Sequence, residues 1–269
     1  MVVAPRMLVA AGLVCQALGA RRGVILWSHG RTASDALAGT LKASANFSYC
    51  NGLREGFGNK HDSSLISKQA LDACRDRNQM LTHVMPVFLD KPGNALTTPK
   101  AFFRAARDRG FKVVVAVWRE NVLARQVSSF ELMVAHGRVQ REAGAREHFC
   151  GGTLIRQIED LTRAYRAGVA AARDAGLVVV ERTFDEVVSD LCGTVAAVTD
   201  ELEDAYRGRP CRPFESPHVL TSQRHKDLAG RTTPEAAACA ARELRPSAYA
   251  WMLDLGRRHP PPRNASRSI

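Results

Sequence analysis

The chain lacks a long apolar run. Its longest, Met7 to Ala20, covers 14 residues, against the roughly 20 that a helix needs to cross a bilayer. Seven cysteines, at 15, 50, 74, 150, 192, 211 and 239, include no Cys-x-x-Cys and no Cys/His spacing suited to a metal. The nucleotide-triphosphate loop GxxxxGK[ST] is missing. Gly30 is followed by no second glycine with a Lys-Ser/Thr pair, which argues against an ATPase or GTPase. There is no internal repeat, and arginine is spread along the chain without interleaved aromatics. That argues against specific nucleic-acid recognition. Acidic residues are also scarce: 27 Asp and Glu stand against 38 Lys and Arg, for a net charge of +11. Such a balance suits a polyanionic partner, whether nucleic acid, anionic nucleotide, acidic glycan or membrane surface.

What is present is an ordinary soluble composition, with 45% apolar and 24% charged residues in 269. One α/β domain is the expected content. Residues 1–22 have two readings. Arg6, the apolar run and the small residues Ala17-Leu18-Gly19-Ala20 resemble a signal peptide cleaved after Ala20. The other reading is a first helix packed on the domain. A signal places the protein in the secretory pathway or Golgi lumen; otherwise it is cytoplasmic. Losing Cys15 with a signal leaves six cysteines, an even number compatible with disulfides. Asn46-Phe47-Ser48 and Asn264-Ala265-Ser266 are glycosylation sequons.

Val24 to Trp27 reads as a buried strand, followed by the polar turn Ser28 to Thr32 and a helix carrying Ala36, Leu37, Thr40 and Leu41. Residues 46–61 read as a loop, 63–75 as a helix and 80–84 as a strand. A helix over 98–109 closes at Gly110. The run Phe111 to Trp118 is the clearest strand, and its continuous apolar character predicts burial on both faces. A helix follows Asn121, then a loop over 136–153, a helix over 154–175, a strand over 177–181 and one helix over 184–206. The span 207–226 lacks a period. A helix over 234–255 is interrupted by Pro246, and 257–269 is a basic, disordered tail. Alternating strands and helices predict a three-layer αβα domain over 23–256 with a mainly parallel sheet, whose strand ends share one site-bearing edge.

The turn after the first strand has the makings of an anion site. Backbone N–H groups, hydroxyls and a helix N-terminus converge there, and Arg31 adds charge. An ordinary capped βα connection is the plainer alternative. Gly30-Arg31-Thr32-Ala33-Ser34 resembles the 5′-phosphosulfate loop of sulfotransferases that use 3′-phosphoadenylyl sulfate (PAPS). In that family Arg or Lys precedes Ser/Thr-Gly-Ser/Thr-Ser/Thr. Arg31, Thr32 and Ser34 match; Ala33 stands where the family usually has Gly, and Asp35 where it has a hydroxyl.

Arg119, at the end of the best strand, and Ser128, nine residues on, resemble the same family's 3′-phosphate motif. Arg125 lies between them, either adding charge or facing solvent. The late basic stretch Leu220 to Arg231, with Arg224 and Lys226, sits where the family runs a loop over the nucleotide.

The resemblance implies a P-loop-like α/β fold and in-line transfer of a sulfuryl group from PAPS to a hydroxyl of a carbohydrate or small polar acceptor. It requires no metal. Arg31 would neutralise the bridging oxygen, while Gly30, Thr32, Ala33 and Ser34 hold the 5′-phosphate. Glu55 is the first candidate for general base, His83 the second and His29 the third. The acceptor pocket is expected from residues 46–61 and 136–153. A degenerate sulfotransferase-like binding protein and a P-loop small-molecule kinase are the alternatives, and a homodimer is among the assemblies left open.

Overall fold

The computed structural model describes residues 22–45, 47–50, 66–78, 80–89, 93–202, 210–214 and 227–256. Residues 1–21 and 257–269, and with them the signal-peptide reading and the basic tail, lie outside the described residues. Four strands form the sheet among the described residues: β1 (Gly23–Ser28), β2 (Leu81–Val84), β3 (Phe111–Trp118) and β4 (Val178–Thr183). All pairings are parallel, in the order β2-β1-β3-β4. The expected three-layer α/β class is what the structure holds.

Alternation explains the layers. Along β1, Val24 and Leu26 pack on α1 (Ser34–Ala45) and α8 (Leu191–Asp200), while Ile25 and Trp27 face α3 (Pro99–Arg107) and α6 (Leu154–Asp174). β3 repeats the pattern, with Val113, Val115 and Val117 on one side and Val114 and Ala116 on the other. A strand alternates its side chains between faces, so a run apolar throughout must be covered twice. A third cluster joins α4 (Val122–Ala135), α5 (Arg141–Phe149), α10 (Pro234–Leu244) and the 3-10 turn Ala250–Leu253.

The chain leaves β1 toward β2 on one side, then returns to β3 on the other. Neighbouring strands whose connections diverge leave a crevice at their carboxyl ends, which is where open α/β sheets place their sites. The turn after β1 and the turn after β3 flank that crevice.

Some elements depart from the sequence reading. The helix expected from 63 begins at Lys68, because Ser67 Oγ accepts the Ala70 N–H and caps α2 (Lys68–Asp76). The single helix expected over 184–206 is two, α7 (Phe184–Ser189) and α8, since Asp190 breaks the first and caps the second through Gly193 N at 2.8 Å. Residues 136–153, read as a loop, contain α5. That helix offers little apolar pattern of its own and is held by Phe149, by Ala145 and by Cys150. The late stretch read as a loop through Arg231 ends in the short helix α9 (Leu228–Arg231).

Six cysteines pair as Cys50–Cys74, Cys150–Cys239 and Cys192–Cys211, with Cα separations of 5.1, 4.9 and 5.7 Å, inside the usual disulfide range. Cys15 lies outside the described residues.

Gly168 of α6 lies flat on the Trp27 indole, and any side chain there would collide with the ring. The indole N–H donates to Tyr165 O at 3.2 Å, which fixes the ring against retreat. Gly168→Ala is therefore expected to lower stability by about 1–3 kcal/mol, the usual cost of overpacking. Gly151→Ala, whose nearest neighbour stands 3.7 Å away, is expected to stay within about 0.5 kcal/mol of the parent. Urea midpoints of the two variants check this; equal midpoints would refute the packing argument.

Candidate functional site

β1 ends at Ser28, and the backbone then turns through an unusual path. Arg31 and Ala33 both have positive φ, 69° and 61°, while Thr32 between them does not. Alternating handedness turns successive N–H groups toward one side, forming a concavity suited to an anion. α1 starts at Ser34, so its unpaired first N–H groups point to the same place. The left-handed backbone costs a residue with a side chain about 1–2 kcal/mol; at Ala33 a glycine would escape this. Gly30 N donates to Met85 Sδ at 2.9 Å, and a Cβ on Gly30 would press on that sulfur at 3.1 Å.

The helix that follows β3, α4, meets this loop directly. Arg31 Nε donates to Ser128 Oγ at 3.1 Å, and Arg125 Nε donates to the Gly30 carbonyl at 3.1 Å. Both partners come from α4, so one helix grips the loop twice. Asn121 sets that helix: its Oδ1 caps Ala124 N at 2.9 Å, and its Nδ2 donates to the Asp254 carbonyl at 3.0 Å. The sequence reading gave Asn121 no role, although an Asn directly before an apolar-periodic run is an N-cap signal.

Positive charge accumulates here. The Arg119 guanidinium lies 4.5 Å from the Phe184 ring centroid. Burial pushes its pKa down to about 10; the nearby charges of Arg231, Arg31 and Arg125 push the same way, and Asp185 resists. Arg31 is likewise lowered, first by burial, with Asp35 and Glu131 resisting. Arg231 is only 3% exposed and reaches Glu131 of α4 with a two-pronged ion pair, Nε to Oε1 at 3.1 Å. Sequence reasoning chose Arg224 and Lys226 from this stretch and passed over Arg231. The available signal was Asp227, which caps Gly230 N at 2.7 Å and starts the short helix that turns Arg231 inward.

Unpaired polar atoms converge on the same place. His29 Nε2 donates to the Leu161 carbonyl at 2.8 Å, which leaves Nδ1 as a buried acceptor with no protein partner among the described residues. Thr32 Oγ1 is in the same condition, and Thr32 is 1% exposed. Both residues line a cavity of about 10 Å³ walled by Trp118, Arg119 and Arg125, a space matched to a single water or ligand atom. A buried polar atom left unpaired costs about 1–3 kcal/mol, so this spot favours a water or a ligand atom that pairs it.

His83 sits beneath the loop, 7% exposed, with Nε2 and Ser28 Oγ 2.8 Å apart. Burial pushes its pKa down to about 4, against the charge of Asp35 and the Ser28 backbone. Its ring is held in the floor of the site. Asp35 is exposed in the first turn of α1. Glu55, Arg224 and Lys226 lie outside the described residues. The structure thus joins Gly30, Arg31, Thr32, Ala33 and Ser34 with Arg119, Arg125 and Ser128.

Set against protein-family models, curated proteins and solved structures, the chain matches none.

His29, like His83, is pushed down to about 4 by burial, with the Arg125 charge adding and the Leu161 carbonyl resisting. In both, the folded pKa lies below the ordinary 6.5, so the unfolded chain takes up protons first as pH falls. Their contribution is full above pH 6.5 and is lost progressively toward pH 4, by about 3 kcal/mol for each. Unfolding free energy is expected to drop across this window, less steeply in His83→Gln. A flat profile from pH 6.5 to 4 would contradict the assignment.

Proposed function

We propose that the protein is a sulfotransferase that uses PAPS as donor and a hydroxyl of a carbohydrate or similar small polar molecule as acceptor. The Arg31–Ser128 hydrogen bond carries the reading. It brings together the two stretches that resemble the family's two phosphate motifs, at the crevice between β1 and β3. The N–H concavity, the orphaned Thr32 hydroxyl and the surplus of guanidinium groups fit a ligand bearing separate phosphate groups.

PAPS supplies a sulfuryl group whose leaving atom is a phosphate oxygen. Thr32, Ser34 and the loop N–H groups hold the 5′-phosphate; Arg119 and Ser128 hold the 3′-phosphate. Arg31 neutralises charge on the leaving oxygen as its bond to sulfur breaks and the acceptor's oxygen–sulfur bond forms. The acceptor's proton passes to a general base, for which Glu55 is the residue proposed. The three disulfides support an oxidising compartment, such as the secretory lumen.

A catalytically silent binding relative is the competing reading. Asp35 favours it, since its charge reaches Arg31 and opposes a second anion nearby.

Titrating the full chain with the desulfated product PAP, and separately with ATP and Mg²⁺, tests the donor site. PAP is expected to raise the melting midpoint as its concentration passes Kd. Arg31→Ala and Arg119→Ala are each expected to weaken it about 10- to 100-fold, the worth of a charge-assisted hydrogen bond. No response to PAP would refute the proposal, and Mg²⁺-dependent ATP turnover would favour a kinase. PAP binding without sulfuryl transfer to any acceptor would identify the silent relative.

A further inference from the structure

A cavity of about 390 Å³ opens between α4, α5 and α6, a volume typical of small-molecule sites. Arg125 and Leu161 line both it and the small cavity under the β1 loop. It therefore lies one side chain away from the arginine cluster.

Its polar lining carries both donors and acceptors. Gln126 Nε2 donates to Gln157 Oε1 at 2.8 Å, and Gln157 Nε2 donates onward to Thr153 Oγ1 at 2.8 Å. This chain of amides leaves Gln126 Oε1 buried and without a partner among the described residues. His148 Nδ1 lies 2.9 Å from the Gly144 carbonyl. A carbonyl only accepts, so Nδ1 carries a proton and donates to it. Asp160 adds a carboxylate, and Ser129 adds a hydroxyl able to act either way. Met133 and Phe149 complete an apolar side.

These groups choose a ligand by charge. An anion would be drawn to Arg125 but would also meet the Asp160 carboxylate. A cation would meet Arg125, while Asp160 is already answered by Arg163 at 3.2 Å and Arg156 at 3.7 Å. A neutral molecule carrying several hydroxyls satisfies the lining, because each hydroxyl donates and accepts, and its C–H face suits the apolar side.

We propose that this cavity binds an uncharged, polyhydroxylated ligand of sugar size. On the sulfuryl-transfer reading, from which this role follows, it is the seat of the acceptor. The expected loop 136–153 then contributes through α5, which supplies His148 and Phe149.

Saturation-transfer NMR on the full, oxidised chain tests it. The probes are glucose, galactose, N-acetylglucosamine and lactose, with glucuronic acid and glucosamine as charged comparisons. A neutral sugar is expected to bind, about tenfold more weakly in Gln126→Ala and not at all in Ser129→Trp, which fills the cavity. Charged analogues are expected to bind less well. The proposal is overturned if no neutral sugar binds, if binding is unchanged in both variants, or if a charged analogue binds best. Gln126→Ala trims one amide and guards against a folding failure in the bulkier variant. A PAP titration of the same samples separates the two proposals, since both variants are expected to keep the parent affinity for PAP. Sugar binding without PAP binding upholds the cavity and sinks the donor reading; PAP binding without sugar binding does the reverse.

Discussion

The side-by-side pairing of β1 and β3 is the constraint on which the rest depends. Both strands are apolar at nearly every buried position, Ser28 excepted, and are covered on both faces, so neither can shift or slip without exposing a row of side chains. Their register, with Ser28 beside Val117, brings the two turns out of the sheet at the same level. The connections diverge from there, and the space between them becomes a crevice rather than a packed corner. The contact of Arg31 with Ser128 follows from that register.

Crowding several guanidinium groups at one end of a sheet is electrostatically unfavourable, and the protein compensates in distinct ways. Arg231 is tied to Glu131. Arg119 rests on the Phe184 ring. Arg125 donates to a loop carbonyl. Asp35, Glu131 and Asp185 offset a further part of the repulsion. Like charges held this close destabilise the fold slightly.

Strand positions were readable because burial on both faces leaves a plain mark: Phe111 to Trp118 is apolar at nearly every step, and the structure makes it a strand end to end. The turn after β1 was readable as a turn because Gly30 and polar residues interrupt the apolar run before the helix. Its strained backbone at Arg31 and Ala33 was not, since neither residue advertises positive φ as a glycine would. α5 was missed because it is held by tertiary contacts and a disulfide to a segment 89 residues away, a relation that local periodicity does not carry. Asn121 and Arg231 were passed over for a similar reason: each acts on a part of the chain more than 90 residues distant. The split at Asp190 was hidden because both helices share the apolar face that packs on β3 and β4.

Trp118 gives the fold one more property. It closes β3, stacks near Tyr165 with ring centroids 4.9 Å apart, and stands 5.9 Å from the His29 ring. It also forms one wall of the small cavity beside Arg119. Trp27, by contrast, is sealed from solvent in the core. The two indoles therefore sit in separate optical environments, one indifferent to solvent and one facing the charged crevice. Trp118 thus places an intrinsic fluorophore beside Arg119, where a change at the crevice is read in its emission against the background of Trp27 and the half-buried Trp251.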